Sequence, residues 1–371
     1  MMGGGEIHCS ADARRLARRK LPWMIFDYID GAAGEEHGAD LNRAALRDIR
    51  LRPRCLVDVS RRDLSAEVFG ERQGAPFGVA PMGMCNLSTP GADLMLARLA
   101  AKWRVPHCLS TVSSTPMETV IEAAEGHAWF QLYFSGDGAG SMKLARRAQE
   151  AGYATLILTV DVPEVGRRPR ELRHAFRMPF RIGLKQFVDF ALHPEWSLRT
   201  LRAGAPTLAN FDGVDYAFDR TESRAAADWG WFTNLRDAWP GRLVVKGVLD
   251  AEDALRLKNA GADAIQVSSH GSRQLDAAPP PILALRRIRA AVGEGFPLFY
   301  DSGLRGGEDV VKAYAAGADF VFFGRVLQFA MAARREAGLN ALWGVLLEET
   351  SLTLAQVGAC SVDALGPDNL A

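Results

Sequence analysis

The segment VSSHGSRQLD, residues 267–276, holds the side chains best suited to chemistry in this chain. His270 carries an imidazole whose ordinary pKa, about 6.5, suits proton abstraction at neutral pH. Arg273 follows three residues later, and its planar guanidinium group can bind a carboxylate through two parallel hydrogen bonds. A histidine beside glycines is on its own more often structural. Here a base and an anion clamp occur together, which favours chemistry on an organic acid.

A second set of charged residues lies in LTVDVPEVGRRPR, residues 158–170, and in LVVKG, residues 243–247. Arg168 can bind the same anion as Arg273, and Asp161 can orient the imidazole and stabilise its protonated form. Lys246 can supply positive charge to a cofactor that becomes anionic on reduction.

Two further segments, YDSGLRGGEDV at 300–310 and FFGRVL at 322–327, place glycines and the cations Arg305 and Arg325 beside helix starts. Backbone N–H groups and the helix dipole favour an anion at such a position. In the alternative interpretation the glycines merely end strands, but two accompanying arginines favour a phosphate-bearing ligand.

The elements that position these residues form a repeated αβ unit. RRAQEAGYATLILTV, LRLKNAGADAIQVSS and VKAYAAGADFVFFGR each read as a helix, a glycine stop and a short buried strand. Gly152, Gly261 and Gly317 fall where a helix end requires a left-handed residue. Eight strands are predicted in all: 77–80, 106–109, 128–132, 155–160, 243–246, 264–268, 298–300 and 320–323. Helices are predicted between them, including 92–103, 118–125, 252–260, 281–292 and 307–317.

Continuous apolar strands alternating with amphipathic helices predict an α/β fold, a (β/α)8 TIM barrel in one domain of 371 residues. Active sites of such barrels lie at the C-terminal ends of the strands. Polar or glycine residues follow nearly every predicted strand: Met82, Gly83, Ser110, Thr111, Gln131, Tyr133, Thr159, Asp161, Lys246, Ser268, His270, Asp301, Gly303, Gly324 and Arg325. We expect the site at that end of the barrel.

Three segments frame the barrel, which is assigned to residues 76–330: an N-terminal helical lead-in at 1–75, an insertion at 162–225 after the fourth strand, and a C-terminal helical segment at 331–371. The part of the insertion from 166 to 205 carries nine Lys or Arg residues against three Asp or Glu, interleaved with aromatic residues. It reads equally as a solvated lid or as a segment that contacts an anionic membrane surface.

Composition excludes some classes of function and location. Lys plus Arg equals Asp plus Glu at 44 each, so no global field recruits nucleic acid. The basic N-terminus has no following apolar stretch typical of a secretory signal, and no run approaches the length of a membrane span. The five cysteines are odd in number and form no C-x-x-C pair, so reduced thiols are expected. We predict a cytoplasmic protein, with peripheral contact to the inner face of the cell membrane left open.

These motifs, in this order, resemble the FMN-dependent 2-hydroxy-acid oxidase and dehydrogenase family, which includes glycolate oxidase, lactate oxidase, lactate dehydrogenase and, with the greatest likeness, mandelate dehydrogenase. The resemblance runs from KLPWMIFDYIDGAAGEE through WFQLY, LTVDV, LVVKG, SHGSRQLD and DSGLRGG to FFGR. It implies FMN as cofactor, oxidation of a 2-hydroxy acid to the 2-oxo acid, and a homotetramer. Whether the electrons travel as a hydride or through a carbanion stays open.

The resemblance also implies residue roles. His270 matches the catalytic base and Asp161 its orienting partner, Arg168 and Arg273 match the carboxylate pair, Tyr28 a second carboxylate contact, and Tyr133 the contact to the substrate hydroxyl or carbonyl. Residues matching the FMN ring or ribityl contacts are Ser110, Gln131, Thr159, Lys246 and Ser268, with the backbone around Pro81, Met82 and Gly83 against the reactive nitrogen. Those matching the ribityl and phosphate site are Asp301, Gly303, Arg305, Gly324 and Arg325.

Three positions depart from the family pattern. Ser269 replaces a common asparagine, so hydrogen bonding around His270 differs. Val112 stands where glycolate oxidases have a bulky aromatic residue facing the substrate, which favours a bulky, mandelate-like (S)-2-hydroxy acid. Gly83, alanine in many oxidases, favours a dehydrogenase passing electrons to a quinone or similar acceptor.

Three alternatives stay open to different degrees. The main one is an oxidase that uses dioxygen and makes hydrogen peroxide. The distant ones are an FMN-binding barrel that has lost its chemistry and a phosphate-substrate aldolase or isomerase without flavin. The intact set of matched catalytic residues argues against the first of these distant alternatives. The second explains Arg305 and Arg325 but gives Lys246 and the two carboxylate clamps no joint purpose.

Overall fold

A computed structural model describes residues 6–174, 176, 182–211 and 222–371 of the chain. Its centre is a closed barrel of eight parallel strands, in which the last strand pairs with the first. After a short antiparallel hairpin of β1 (Ala66–Val68) and β2 (Glu71–Gln73), the barrel strands are β3 (Phe77–Val79), β4 (His107–Ser110), β5 (Ala128–Tyr133), β6 (Thr155–Thr159), β7 (Arg242–Val248), β8 (Ala264–Val267), β9 (Leu298–Tyr300) and β10 (Phe320–Phe323). All eight predicted strands are confirmed, as is the (β/α)8 fold.

Helices lie around the barrel, and most of them bury apolar residues, whereas the helix Leu184–Leu192 buries none. They are α1 (Ser10–Lys20), α2 (Trp23–Asp30), α3 (His37–Asp48), α4 (Ala92–Trp103), α5 (Met117–Ala123), α6 (Ala139–Glu150), α7 (Pro169–Arg173), α8 (Leu184–Leu192), α9 (Pro194–Ala203), α10 (Trp229–Ala238), α11 (Ala251–Asn259), α12 (Pro281–Val292), α13 (Gly307–Ala315) and α14 (Arg325–Val357), the last broken at Arg334 and Arg335. The predicted helix stops hold: Gly152, Gly261 and Gly317 have φ values of 97°, 91° and 106°.

The boundaries of six of the eight barrel strands differ from the sequence prediction by one or two residues, because hydrogen-bond register decides where a strand ends. The clearest case is β7, which begins at Arg242 and continues to Val248. Its register with β8 shifts between Lys246 and Val248, which is a β-bulge centred on Gly247. Bulges of this kind redirect side chains next to active sites.

The segments outside the barrel contribute α1 to α3 before it and α7 to α9 after β6. Parts of the predicted insertion, residues 175, 177–181 and 212–221, lie outside the described residues, including the basic positions 177 and 181. None of the helices in the described ranges is long and apolar enough to cross a membrane. The five cysteines carry free thiols.

Candidate active site

A cavity of about 800 Å³, counting its open mouth, lies at the C-terminal end of the barrel, where the polar strand ends were predicted to meet. Twelve of the residues singled out from the sequence line it: Tyr28, Pro81, Met82, Gly83, Lys246, His270, Arg273, Asp301, Gly303, Arg305, Gly324 and Arg325. Sequence positions nearly 300 residues apart therefore meet in one cavity.

His270 stands on a tight turn directly after β8, with a left-handed φ of 55°. Its backbone N–H donates to Ser268 Oγ at 3.0 Å, and its Nδ1 lies 3.0 Å from Asp161 Oδ1. Burial lowers the pKa of His270, an effect that the Lys246 cation reinforces and the Asp161 carboxylate opposes. The imidazole is therefore neutral at pH 7, the state that a base requires.

Asp161 fits beside His270 because of the bulge at Gly247. A Cβ added to Gly247 would lie 2.5 Å from Asp161 Cγ, so only glycine leaves room for this carboxylate. Burial raises the pKa of Asp161, but the neighbouring His270 and Lys246 outweigh it, and the net pKa lies below the ordinary value. The carboxylate is thus ionised and can stabilise a protonated imidazole.

Lys246 is buried at the end of β7, with its Nζ 3.0 Å from Ser268 Oγ and 3.5 Å from Asp301 Oδ2. Burial lowers its pKa, but the carboxylates of Asp301 and Asp161 outweigh that effect, so the net pKa is raised. A permanent positive charge therefore faces the cavity.

Arg305 and Arg325 also line the cavity and contact backbone carbonyls. Arg305 Nη1 donates to Leu304 O at 2.8 Å, and Arg325 Nη2 donates to Gly271 O at 2.7 Å and Gly31 O at 3.1 Å. Within the described ranges, no carboxylate lies within 4 Å of either guanidinium group. Burial, followed by repulsion from neighbouring arginines, lowers the pKa of Arg305 to about 10 and that of Arg325 to about 9. Two such cations fit a phosphate.

Ser110, Gln131 and Thr159 are buried at or near the C-terminal ends of β4, β5 and β6, and they do not line the cavity itself. Ser110 Oγ donates to Gln131 Oε1 at 3.1 Å. Gln131 Nε2 and Thr159 Oγ1 are buried without a hydrogen-bond partner among the described residues. Buried polar atoms are normally paired, so these two groups fit a polar ring system placed over the strand ends. Together with the two phosphate-site arginines and Lys246, they fit FMN.

Arg168 and Arg273, the predicted carboxylate pair, meet at a carboxylate that the sequence analysis did not single out. Arg273 Nη2 lies 2.8 Å and Arg168 Nη1 3.4 Å from Oε1 of the buried Glu171. Arg273 Nη1 also donates to Tyr28 O at 2.9 Å, and Arg168 Nε donates to Arg273 O at 3.0 Å. Arg273 lines the cavity, whereas Arg168 does not line it and instead contacts Arg273.

Two tyrosines and two small residues complete the site. Tyr133 Oη lies 3.4 Å from His270 Nε2, and Tyr28 Oη donates to Gly83 O at 3.3 Å. A Cβ on Gly83 would lie 2.6 Å from Val112 Cγ2, so the loops after β3 and β4 touch at this point.

The residue before His270 is held by α3. Ser269 Oγ accepts a hydrogen bond from Asn42 Nδ2 at 2.8 Å, and its backbone N–H donates to Ser302 Oγ at 3.2 Å. Asn42 was missed in the sequence because nothing local marks a helix residue 227 positions away. Ser269 is thus tied to the lead-in rather than to the imidazole.

The C-terminal end of this (β/α)8 barrel holds an imidazole paired with a carboxylate, a buried lysine, arginines beside the base and a phosphate-type pocket. Together these groups define a flavin-type oxidoreductase. Residues 17–371 match the family described as FMN-dependent dehydrogenase. The chain belongs to this family, and its cofactor is FMN, as the resemblance implied.

Curated relatives cover nearly the whole chain. An (S)-mandelate dehydrogenase from Pseudomonas putida is 41% identical over 367 residues, 97% of this chain and 92% of that protein. An L-lactate dehydrogenase from Caulobacter vibrioides is 38% identical over 375 residues, 98% of both.

Solved structures give the same result. A crystal structure of the monotopic membrane protein (S)-mandelate dehydrogenase superimposes with a TM-score of 0.93 at 39% identity, covering 99% of this chain and 100% of that one. A mandelate oxidase structure with (S)-2-phenylpropionate gives a TM-score of 0.84 at 36% identity, covering 98% of both chains.

Proposed function

We propose that this protein oxidises an (S)-2-hydroxy acid with a bulky, mandelate-like side chain to the 2-oxo acid. The observation that carries the proposal is the neutral imidazole of His270, held by Asp161 and directed toward Tyr133 beside the Arg273 clamp. A base, a hydroxyl partner and a carboxylate clamp are the three groups that this substrate class requires.

In the proposed mechanism, Arg273 and Tyr28 bind the carboxylate of the acid, with Arg168 fixing Arg273 through its backbone carbonyl. Tyr133 hydrogen-bonds the hydroxyl, and the Nε2 atom of His270 accepts the proton that leaves the substrate. Asp161 stabilises the resulting imidazolium. FMN would supply the electron acceptor, taking up the two electrons together with the second hydrogen that the substrate loses, and Lys246 would supply positive charge beside it.

The test of the base is the His270→Ala variant. It should retain flavin, because no hydrogen bond to the phosphate site involves the imidazole, yet lose more than ~10²-fold in anaerobic flavin reduction. His8→Ala, which removes an exposed histidine, serves as the matched control. A His270→Ala rate within a few-fold of wild type would contradict the assignment.

The substrate preference rests on Val112, which stands where glycolate oxidases have a bulky aromatic residue facing the substrate. The smaller side chain favours an aromatic or long aliphatic acid over glycolate. Anaerobic bleaching of the bound flavin by a panel of hydroxy acids measures the preference directly. Comparable rates with mandelate and glycolate would contradict it.

The electron acceptor is proposed to be a quinone or a similar carrier, on the basis of Gly83. The competing function is an oxidase that reduces dioxygen to hydrogen peroxide. Admitting air to the bleached enzyme distinguishes them: slow recolouring favours the dehydrogenase, and recolouring as fast as turnover favours the oxidase. Absence of bleaching by every acid would instead favour a flavin-binding barrel without this chemistry.

We further propose that α8 and α9 rest on an anionic membrane surface. Large apolar side chains are exposed there, with Leu184 82%, Leu192 71% and Leu201 79% accessible. Lys185 and Arg202 are basic and exposed on the same helices. Apolar side chains flanked by cations are typical of helices that lie in an anionic interface.

Sedimentation with vesicles tests this surface. The wild type should pellet with vesicles containing phosphatidylglycerol and not with phosphatidylcholine alone. A Leu184→Glu/Leu201→Glu double variant should stay in the supernatant while keeping its flavin reduction rate. Equal binding of wild type and variant would contradict the proposed surface.

The homotetramer implied by the family resemblance is likewise proposed for this chain. Sedimentation equilibrium of the holoenzyme would give four times the chain mass of 40.4 kDa if it is correct.

A further inference from the structure

Arg224, near the end of the insertion, lies against the active site although no sequence motif marks it. Its side chain is 6% exposed, and its guanidinium carbon lies 5.4 Å from the centre of the Tyr133 ring. Its backbone N–H donates to Pro163 O at 2.7 Å, and its Nη1 donates to Glu222 O at 3.2 Å. The returning end of the insertion is thus attached to the outgoing end, just after β6.

The other substrate tyrosine is covered from the same insertion. Phe176 stacks on Tyr28 with ring centres 4.7 Å apart and an angle of 10° between the planes. Each tyrosine assigned to the substrate therefore has one face covered by an insertion residue. The two contacts differ chemically, because Tyr28 meets an apolar ring and Tyr133 meets a cation.

A cation over the face of an aromatic ring is attracted by the ring quadrupole and thereby restrains the ring. The Tyr133 ring lies at 25° to the His270 imidazole with ring centres 6.4 Å apart, and Tyr133 Oη lies 3.4 Å from Nε2, so a change in the χ1 angle of Tyr133 would move its hydroxyl away from Nε2. The charged groups that face Tyr133 are Lys246, Asp161, Arg224 and Arg168, with His270 at its hydroxyl. Burial raises the pKa of Tyr133, so the hydroxyl stays a hydrogen-bond donor.

We propose that Arg224 is a positioning residue for the reaction: it holds the Tyr133 hydroxyl in line with His270 and the substrate hydroxyl. The inference rests on the proposed function, because it assigns Arg224 a role only through the tyrosine that contacts the hydroxy acid. It also gives the insertion a part in catalysis that is separate from membrane contact.

The experiment is a double-mutant cycle on the FMN-loaded enzyme, measured as the limiting rate of anaerobic flavin reduction by (S)-mandelate. Arg224→Met should lower this rate about tenfold, the size expected for removing a desolvated cation–ring interaction, while the substrate dissociation constant changes less than threefold. Arg224→Lys should recover most of the rate. In the Tyr133→Phe background, Arg224→Met should have less than a threefold effect, because the hydroxyl is already absent.

Arg256→Met is the matched control, because Arg256 stacks on Trp229 at 3.8 Å on an exposed helix outside the site. It should leave the reduction rate unchanged. Equal losses from Arg224→Met in both backgrounds would mean that Arg224 only supports the fold, and would overturn the proposal. A wild-type rate for Arg224→Met would overturn it as well.

A second readout is independent of turnover. Hydrogen–deuterium exchange in the peptide covering 128–137 should accelerate in Arg224→Met and stay at the wild-type level in Arg224→Lys. Unchanged exchange in both variants overturns the positioning role. If the wild type fails to bleach with any hydroxy acid, the proposed function fails by itself, and the exchange result still decides whether Arg224 orders Tyr133.

Discussion

Replacing Asp161 with asparagine isolates the charge that supports the base, since the side chain keeps its shape in the tight space opposite Gly247. The substitution removes the negative charge from a carboxylate whose Oδ1 lies 3.0 Å from the Nδ1 atom of His270. Hydrogen bonds to charged groups contribute ~1.5–3 kcal/mol. At ~1.4 kcal/mol per factor of ten, flavin reduction should fall about 10- to 100-fold.

The pH dependence of the flavin reduction rate should also change in Asp161→Asn, and in a defined direction. The proposed mechanism requires neutral His270, so it predicts that the rate rises with pH through the His270 pKa, which lies below the ordinary 6.5. Asp161 raises that pKa by favouring the imidazolium, so Asp161→Asn should move the acid limb to lower pH. The rate therefore falls although more of the histidine is neutral.

Stopped-flow flavin reduction between pH 4.5 and 9 measures both quantities on wild type and on Asp161→Asn. Asp58→Asn, which alters a fully exposed carboxyl group, is the control. An acid limb that moves upward, or a limiting rate within threefold of wild type, would refute the assigned role of Asp161.

Two further predictions concern stability. Burial opposes ionisation of Asp30, but Arg14 and Arg170 outweigh it and lower its pKa from 3.8 to about 2. The ionised carboxylate should therefore contribute about 2 kcal/mol to the free energy of unfolding above pH 4. This contribution is lost as the pH falls from 3.8 toward 2. Urea unfolding should show Asp30→Asn weaker than wild type at pH 6 and nearly equal to it at pH 2, and an equal gap at both values would contradict this. Gly83→Ala should lower the free energy of unfolding by ~1–3 kcal/mol, because its new Cβ meets Val112 Cγ2. Adding Val112→Ala in the same chain should restore most of this stability in thermal unfolding. A failure to restore it would place the strain elsewhere.

The fold was predictable because each αβ unit repeats a local pattern. Gly317 between an amphipathic helix and FVFF marks one unit, and Gly152 and Gly261 mark two others in the same way. The exact strand limits were not predictable, because the bulge at Gly247 depends on the space needed by Asp161, which follows the neighbouring strand β6. Only the folded chain brings those two residues together.

The candidate site was predictable where its residues follow strand ends, as His270, Lys246 and Arg325 do. Residues that act through packing left no such mark. Glu171 lies in a helix rich in charged residues and reads as solvated, yet it is buried between two arginines. Arg224 falls in a stretch without periodicity, and only the structure shows its contact with Tyr133.

Some cations of the site are neutralised by a carboxylate of the protein and others are not. This difference identifies the anion that binds most strongly, because it must neutralise the remaining cations. Lys246 is paired with Asp301, and Arg273 with Glu171, whereas Arg305 and Arg325 have only backbone carbonyls as partners among the described residues. Buried cations without a carboxylate are costly, which the lowered pKa values of these two arginines reflect. A phosphate would neutralise both.

The FMN phosphate should therefore stabilise the fold as well as hold the flavin. At a free FMN concentration 100-fold above the dissociation constant, the gain is about 2.7 kcal/mol. Arg325→Met should weaken flavin retention at least tenfold yet raise the melting temperature of the flavin-free protein, because one buried charge is gone. Calorimetry of the wild type and of Arg325→Met, with and without added FMN, tests both the weaker flavin retention and the higher melting temperature of the flavin-free variant. A flavin-free variant that melts below the flavin-free wild type would show that Arg325 is stabilised by its carbonyl contacts alone, against the charge argument made for the phosphate site.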